Sequence, residues 1–307
     1  MKAMQLSHSE QGSTLLLAEL PIPVPGSGEI LVQVRAAGVT PTELRWYPTL
    51  HTSSGGDRIN PVPGHEFSGA IAALGQQVSG FSIGEEVYGL NDWFEDGATA
   101  DYCLATPESL ALKPTSFTHE ESATVPIGAL TAWQGLIERA KLQSGERVLI
   151  HGGAGAVGLF AVQLAHRAGA HVISTASAGN LAFVTQLGAA QVIDYRTTRF
   201  EEVVGEVDVV FDTVGGETLG RSWSVLRPGG RMITIAGSEE AATDPRVKDA
   251  FFIVEPDHSQ LTEVARLLDG GQLHTFVKAA VPFARAAEAY AGVLHTEHSY
   301  GKVVISI

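Results

Sequence analysis

The chain has 307 residues, a length that predicts two domains rather than one, with 44% hydrophobic and 18% charged residues. This composition is typical of a folded globular protein and excludes disordered, collagen-like and coiled-coil chains. The formal net charge of −14 disfavours nucleic acid and anionic membranes as partners, because such a field repels phosphate groups. The single cysteine, Cys103, excludes an intrachain disulfide and a cysteine-rich zinc site. With no apolar signal segment in residues 1–9, we expect a cytoplasmic protein.

The first part of the chain carries short strand patterns separated by Gly and Pro. Residues 29–35 alternate apolar and polar side chains, as a half-buried antiparallel strand does. Further short apolar runs at 67–75 and 100–105 lie between turn signals such as PIPVPGSG at 21–28. This pattern predicts a small β-barrel.

After a candidate capping box formed by Thr118 and Glu121, the pattern changes to alternating strands and helices. Strands are predicted at 147–152, 171–175, 191–194, 207–212 and 231–237, and the apolar run FFIV at 251–254 is predicted as a sixth. Helices are predicted at 156–168, near 180–187 and near 217–226, then after Asp257 and near 284–294, before the terminal strand. The alternation predicts βαβ units and a doubly wound parallel sheet.

A G-x-G-x-x-G motif lies between the first of these strands and the helix that follows it. Its members are Gly153, Ala154, Gly155, Ala156, Val157 and Gly158. In this context glycine permits a tight turn and lets backbone N–H groups approach a pyrophosphate, while the helix N-terminus adds positive potential. The motif predicts dinucleotide binding, and the alternative is a glycine-rich turn of another α/β fold.

The nature of the dinucleotide follows from the residues after this motif. An NAD site places an acid about 20 residues further on for the ribose 2′-hydroxyl, but residues 168–193 contain no Asp, Glu, Lys or Arg. A 2′-phosphate would meet no carboxylate there, which favours NADP(H). Ser177, Asn180, Tyr195 and Arg196 are candidate donors to that phosphate. Alternatively, Ser177 caps the next helix and Tyr195 is a packed surface aromatic.

Several ordered motifs span nearly the whole chain, among them AAGVTPTEL at 36–44, PGHEFSGAIAALG at 63–75, VPIGALTAW at 125–133, FDTVGG at 211–216 and GKVVISI at 301–307. Together they resemble the medium-chain dehydrogenase/reductase superfamily, and most closely its zinc-free quinone oxidoreductase (zeta-crystallin-like) branch. The resemblance implies an α/β protein with a GroES-like β-barrel catalytic domain, a Rossmann doubly wound parallel-sheet cofactor domain, and a cleft at their junction. Residues 1–120 would begin the catalytic domain, 121–258 would bind NADP, and 259–307 would return to the catalytic domain.

Departures from the superfamily pattern concern the metal. Zinc alcohol dehydrogenases have ligands where this chain has Thr40, His65 and Ile127, and two of these three residues cannot replace a thiolate. We therefore expect no metal, with His65 as a buried, hydrogen-bonded histidine rather than a lone ligand. Quinone oxidoreductases commonly have Asn at the position of Thr40 and Lys near Asn180, and Thr40 can still donate a hydrogen bond.

The resemblance also implies which residues surround the reacting groups. The nicotinamide would be held by Thr131, Val214, Ala236, Gly237 and Phe252. The catalytic candidates are Thr40, Tyr47 and His65. Trp46 and Tyr47 could form walls for a flat apolar acceptor, with Tyr47 offering a phenolic proton, or they could be structural surface aromatics.

Without zinc no strong Lewis acid is available for alcohol oxidation, whereas electron-poor acceptors need less activation. The sequence therefore predicts an NADPH-dependent oxidoreductase that transfers hydride to quinones or α,β-unsaturated carbonyl compounds. The alternatives are an enoyl-thioester reductase of the same superfamily, which would need a basic patch, and a non-catalytic NADPH-binding redox sensor. We expect a homodimer through the apolar sheet edge at 251–254, unless residues 240–250 cover that edge.

Overall fold

The computed structural model describes residues 1–9, 12–236, 244–296 and 298–307. The chain divides into two compact units. The first comprises Met1–Ile127, Pro256–His298 and Lys302–Ile307, and the second comprises Gly128–Glu255 and Ser299–Gly301. The changes of unit after Ile127 and Glu255 lie close to the predicted domain limits at 120 and 258, which stay a prediction.

The strands are β1 (Lys2–Ser9), β2 (Gly12–Glu19), β3 (Ile30–Gly38), β4 (Glu66–Leu74), β5 (Glu86–Leu90), β6 (Tyr102–Ala105), β7 (Leu110–Leu112), β8 (Arg147–Ile150), β9 (His171–Ala176), β10 (Gln191–Asp194), β11 (Val207–Asp212), β12 (Leu226–Thr234), β13 (Val277–Pro282) and β14 (Lys302–Ser306).

The α-helices are α1 (Tyr47–Leu50), α2 (His119–Ser122), α3 (Pro126–Trp133), α4 (Gly158–Arg167), α5 (Leu181–Gln186), α6 (Phe200–Val203), α7 (Gly216–Ser222), α8 (Pro245–Ala250), α9 (His258–Asp269) and α10 (Ala286–Ala291). A π-helical segment, Gln134–Arg139, follows α3. The predicted capping box of Thr118 and Glu121 is confirmed at the start of α2. Within the described ranges, no helix combines the length and the hydropathy needed to cross a membrane.

The first unit is built on a mainly antiparallel sheet. Its strand order is β13-β14-β3-β4-β5-β7, and β6 pairs with β3. The predicted alternation along β3 is confirmed, because Ile30, Val32 and Val34 pack in one core with Phe67 and Ile71. A separate antiparallel pair, β1 and β2, was not indicated by the sequence pattern.

The second unit contains the predicted parallel sheet. Its described strands follow the order β10-β9-β8-β11-β12, and all neighbouring pairs are parallel. Parallel neighbours require crossover connections, and helices provide them here. Leu149, Ile173 and Val210 of three different strands are buried in one core, which explains their continuous apolar runs. The predicted doubly wound α/β fold is confirmed.

The predicted sixth strand at 251–254 is wrong for the described chain. Phe251 makes a single bridge to Thr234, and the Phe252 N–H donates to the Thr234 carbonyl at 3.2 Å. The run is extended, with Phe252 buried and Ile253 54% exposed, but it forms no ladder. The run is confined between α8, which ends at residue 250, and Pro256, which has no N–H to donate to a ladder.

Candidate functional site

The glycine loop, residues 152–157, joins β8 to α4 in the second unit. A Cβ on Gly153 would collide with the Ser174 hydroxyl, and one on Gly158 with the backbone of the loop, so both glycines serve close packing. Gly155 differs because it is exposed, and a Cβ there would meet only a backbone oxygen, at 3.2 Å. Its open side fits a pyrophosphate at the start of α4.

A buried polar network holds the first residue of this loop. His151 Nε2 lies 2.9 Å from Ser222 Oγ, and Nδ1 lies 3.2 Å from Thr175 Oγ1. Ser222 donates to the Thr218 carbonyl, so it accepts from Nε2–H, while Thr175 donates to Nδ1 and accepts from the Gly152 N–H. Burial lowers the pKa of His151 to about 3. A neutral histidine therefore anchors the glycine loop.

Two loops predicted to hold the nicotinamide are joined by one buried carboxylate. Asp212, at the end of β11, accepts from the N–H groups of Val214 (3.1 Å) and Gly215 (3.0 Å) and from the Thr234 hydroxyl (2.8 Å). Thr234 in turn accepts from the Ala236 N–H at 3.2 Å. Val214 is 54% exposed and Ala236 half-buried, so the network fixes the backbone of both loops while leaving Val214 accessible.

The other three predicted nicotinamide residues are placed differently. Thr131 is buried in α3, and Phe252 is buried with the Arg139 guanidinium 4.6 Å from its ring centre. The predicted residue Gly237 lies outside the described residues. The roles of these side chains toward a nicotinamide stay a prediction.

The predicted 2′-phosphate donors differ in accessibility. Tyr195 is 56% exposed, and the guanidinium of Arg196 lies over its ring at 5.6 Å. Ser177 is half-buried, and its side chain makes no capping hydrogen bond to the short helix at 178–180. Asn180, by contrast, is buried, and its Oδ1 accepts from the Ser299 hydroxyl at 2.8 Å. Ser177, Tyr195 and Arg196 can therefore reach a ligand in solution, whereas Asn180 is held by the protein.

Ser299–Gly301, the last segment of the second unit, contacts the glycine loop and α5. Gly301 N–H donates to the Ala154 carbonyl at 3.3 Å, and the Tyr300 ring stacks on Phe183 at 3.8 Å. Ala154 is thereby buried, and the half-buried members of the loop are Gly152, Ala156 and Val157. The sequence pattern did not indicate this segment, because it lies more than 100 residues from its partners.

In the first unit, three neighbouring strands bring an ammonium, a carboxylate and a hydroxyl together. Lys302 begins β14, Glu66 begins β4, and Thr40 follows β3. Lys302 forms an ion pair with Glu66, and its Nζ donates to Thr40 Oγ1 at 3.2 Å. Glu66 also accepts from the Ile127 N–H at 3.1 Å. Burial lowers the pKa of Lys302, whereas the carboxylates of Glu43 and of the contacting Glu66 favour its ammonium form.

His65 belongs to a second buried group of the same unit. Its Nε2 lies 3.3 Å from the Glu95 carbonyl, and its Nδ1 lies 3.9 Å from Glu43 Oε2. Glu43 is fully buried and accepts from the Gly64 N–H and, at 3.3 Å, from the Tyr290 hydroxyl. Burial raises the pKa of Tyr290, as does the Glu43 carboxylate. His65 is thus a buried histidine with a main-chain contact and a carboxylate opposite its other nitrogen.

The predicted aromatic pair points to two different places. Trp46 is half-buried and packs edge-on against Trp93, with ring centres 5.3 Å apart. Tyr47 is 57% exposed and stacks on His51 at 4.1 Å. His51 Nε2 lies 3.5 Å from Asp57 Oδ1, so the carboxylate holds the His51 ring of this stacked pair. Tyr47 can therefore offer its ring to a flat molecule, while Trp46 has a packing role.

The described residues contain no group of three or more His, Cys, Asp or Glu side chains that could hold a metal ion. Of the three positions that carry ligands in zinc alcohol dehydrogenases, Thr40 faces the Lys302 ammonium. The Ile127 side chain has no donor atom, and its backbone N–H is bonded to Glu66. A cation beside Lys302 would meet its positive charge, so the residues present do not fit a catalytic zinc.

The chain matches two protein-family models, one for the alcohol dehydrogenase GroES-like domain over residues 26–133 and one for zinc-binding dehydrogenases over residues 187–305. It is 33% identical to a probable zinc-binding oxidoreductase, mitochondrial, of Arthroderma benhamiae, over 96% of this chain and 94% of that protein. It is also 33% identical to the 2-methylene-furan-3-one reductase of Solanum lycopersicum, over 97% of this chain and 78% of that protein.

Among solved structures, the quinone oxidoreductase from Coxiella burnetii has a TM-score of 0.88 and 27% identity, and the match covers 100% of this chain and 99% of that chain. These matches confirm the predicted combination of a GroES-like domain with a Rossmann-type sheet. They also confirm the prediction of an oxidoreductase.

Proposed function

Because the chain belongs to the medium-chain dehydrogenase/reductase superfamily, in its quinone oxidoreductase-like part, we propose that it reduces quinones or α,β-unsaturated carbonyl compounds with NADPH and without zinc. The name of the Solanum lycopersicum relative describes reduction of an enone, and the Coxiella burnetii structure is titled a quinone oxidoreductase. The observation that carries the proposal is the exposed Gly155 at the start of α4, combined with a following stretch, 168–193, that lacks carboxylates.

The second unit binds and orients the cofactor in this proposal. The reduced nicotinamide supplies the hydride when the cofactor is bound. The N–H groups around Gly155 bind the pyrophosphate, and Asp212 fixes the backbone of the Val214 and Ala236 loops. Thr131 and Phe252 also hold the nicotinamide. In this arrangement backbone groups bind the cofactor, and buried side chains fix the conformation of the loops that carry those groups.

NADPH is preferred to NADH because of the side chains near the ends of β9 and β10. Ser177, Tyr195 and Arg196 donate to the 2′-phosphate, and no Asp or Glu at 168–193 repels it. Asn180 does not contact the 2′-phosphate directly in this proposal, because its side chain accepts a hydrogen bond from Ser299.

In the first unit, Thr40 and Tyr47 act on the acceptor. Hydride addition to an enone β-carbon or a quinone leaves negative charge on a carbonyl oxygen, and the Thr40 hydroxyl stabilises that charge by donating a hydrogen bond. Tyr47 stacks on the flat acceptor or gives it a proton, water being the other proton source. His65 supports this region through its contacts with Glu95 and Glu43.

Steady-state turnover tests the proposal. NADPH and NADH are compared against quinones, enones, enoyl thioesters and simple alcohols. Reduction of quinones or enones with NADPH is expected, with little oxidation of alcohols. Preference for enoyl thioesters would assign the protein to that class of reductases, and tight NADPH binding without turnover on any acceptor would indicate a redox sensor.

Elemental analysis tests independence from zinc. Less than stoichiometric zinc and full activity in a chelator are expected, because an ammonium and an isoleucine occupy the ligand region. One zinc per chain, with activity lost on chelation, would assign the protein to the zinc-dependent dehydrogenases.

We further propose a cytoplasmic homodimer that associates along the β12 edge. The support is the exposed Ile253 between the buried residues Phe252 and Val254, next to the outermost described strand of the sheet. Ile253→Lys is expected to convert the dimer to a monomer in light scattering. A wild-type chain that is monomeric at micromolar concentration contradicts the dimer.

A further inference from the structure

Lys302 is a buried lysine whose ammonium contacts the hydroxyl of Thr40. The register of β14 against β3 pairs Val304 with Gly38, and Lys302 and Thr40 each lie two residues beyond this pair, where Nζ reaches Oγ1. Gly38 has no side chain at the place where the Glu66 side chain crosses, since a Cβ there would collide with Glu66. Backbone register and a glycine therefore place the ammonium of Lys302 between a carboxylate and a hydroxyl.

The direction of the hydrogen bond determines where the hydroxyl proton points. An ammonium has three donors and no acceptor, so Lys302 donates to Thr40 Oγ1 and the Thr40 proton must point elsewhere. Thr40 is half-buried, and its side chain does not cap the 3-10 helix that follows it, Pro41–Arg45. A hydroxyl that accepts from a cation is also a stronger donor, because hydrogen bonds in a chain polarise one another.

We propose that Lys302 is a positioning residue that orients the Thr40 hydroxyl as a hydrogen-bond donor to the oxyanion formed on a quinone or enone carbonyl. This inference rests on the proposed function. Thr40 touches the acceptor and is the catalytic residue, whereas Lys302 acts only through it. Glu66 keeps the ammonium in place and has no further role in the reaction.

A set of paired variants tests this assignment. Glu66→Asp keeps a carboxylate beside the ammonium, and Lys302→Met/Glu66→Gln removes the ion pair without leaving a buried charge. We expect Glu66→Asp to keep kcat within about threefold of wild type and the double variant to lower kcat about 10-fold, with an unchanged Kd for NADPH. Equal losses in both would make the pair structural and overturn the inference.

The decisive measurement places the double change in two backgrounds. Thr40→Val alone is expected to lower kcat about 100-fold, whereas Thr40→Ser retains most of it. In the Thr40→Val background, Lys302→Met/Glu66→Gln is expected to cause no further loss, because its effect passes through the hydroxyl. The same 10-fold loss in both backgrounds would contradict a role through Thr40.

A matched control is available in the same unit. Lys113 is also buried and pairs with a glutamate, Glu86, at 3.3 Å, but its Nζ donates to main-chain carbonyls. Lys113→Met/Glu86→Gln is expected to leave kcat unchanged. If it lowers kcat as much as the Lys302 pair does, loss of a lysine–glutamate ion pair anywhere in this unit explains the effect and the inference falls.

Lys302→Arg provides a second test of the inference if the double variant does not fold. Arginine retains the charge toward Glu66, but its larger, planar guanidinium presents its N–H groups in a different geometry. A folded Lys302→Arg chain with kcat lowered several-fold supports the inference, and one with wild-type kcat overturns it. A wild-type chain that reduces neither quinones nor enones overturns the proposed function itself, whereas an active wild type with additive variants overturns only the role of Lys302.

Discussion

The glycine loop of the second unit and the Lys302 group of the first unit achieve order by opposite physical means. The glycine loop is anchored by His151, which is buried and neutral, and it offers backbone N–H groups around the exposed Gly155. The Lys302 group consists of the buried ammonium of Lys302, the buried carboxylate of Glu66 and the hydroxyl of Thr40, which is half-buried.

The two regions are therefore sensitive to different perturbations. Backbone N–H groups around a glycine carry no titratable charge, but they leave no room for a larger side chain. In a buried ion pair, loss of one partner leaves an uncompensated charge in a medium of low polarity. Volume should therefore be the damaging variable at residue 155, and charge the damaging variable at residue 302.

The largest expected effect comes from breaking the ion pair on one side. Lys302→Met leaves the buried Glu66 carboxylate without its cation, and we expect the free energy of unfolding to fall by about 3–5 kcal/mol. Urea denaturation measures this loss. Adding Glu66→Gln should restore most of it, because a neutral amide carries no charge to bury.

The control for this prediction is Lys113→Met. Its partner Glu86 has a side chain that is 58% exposed, so water replaces the lost cation and the cost should stay near 1 kcal/mol. Equal losses at both lysines would show that the two ion pairs do not differ in the way their burial indicates.

Gly155→Val tests the volume argument. The added side chain would occupy the open side of the loop, and we expect the Kd for NADPH to rise at least about 100-fold with an unchanged circular dichroism spectrum. Gly220→Ala in α7, where a Cβ meets nothing within 4 Å, is the matched control and should bind normally. Retained tight binding by Gly155→Val would exclude the glycine loop as the pyrophosphate site.

The neutral His151 predicts a pH dependence of stability. Its pKa is lowered to about 3 by burial, so below about pH 6.5 the unfolded chain binds a proton that the folded chain does not. The contribution of His151 to the free energy of unfolding is complete above pH 6.5. It falls by about 1.4 kcal/mol per pH unit as the pH drops toward 3. His151→Gln should reduce that slope, whereas His171→Gln, at an exposed position, should not. Equal slopes in wild type and His151→Gln between pH 4 and 6 would contradict a neutral buried histidine.

The two regions also differ in how far the sequence predicts them. The glycine loop could be predicted because its residues are consecutive and their spacing follows from the geometry of one strand, one turn and one helix. Asp212 and Thr234 were within the predicted strands, but their joint support of two loops depends on which strands are neighbours.

The Lys302 group could not be predicted, although Thr40 was a candidate and the motif GKVVISI contained the lysine. Its members come from strands separated by up to 262 residues, and only the pairing of β14 with β3 brings them together. The sequence did carry one usable signal, since Gly38 precedes Thr40 by two residues and a glycine ending a strand often marks a close approach. Likewise, the exposure of Asn180 could not be read from spacing, because Ser299 covers it from a distant segment.

The smallest expected effect returns to the contrast between charge and volume, now at the cofactor phosphate. Ser177 follows β9, is half-buried and does not cap the next helix, so its side chain can face the ribose. Ser177→Asp supplies the carboxylate that the stretch 168–193 lacks, and it should weaken NADPH binding about 10-fold while NADH binding stays the same or improves. Fluorescence titration with both cofactors measures the ratio of the Kd for NADPH to the Kd for NADH.

Ser224→Asp, at an exposed serine of the same unit, controls for added negative charge and should leave this ratio of Kd values unchanged. A shift in the ratio of the two Kd values for Ser177→Asp alone would mean that charge at this position decides between the two cofactors. An unchanged ratio would place the 2′-phosphate elsewhere.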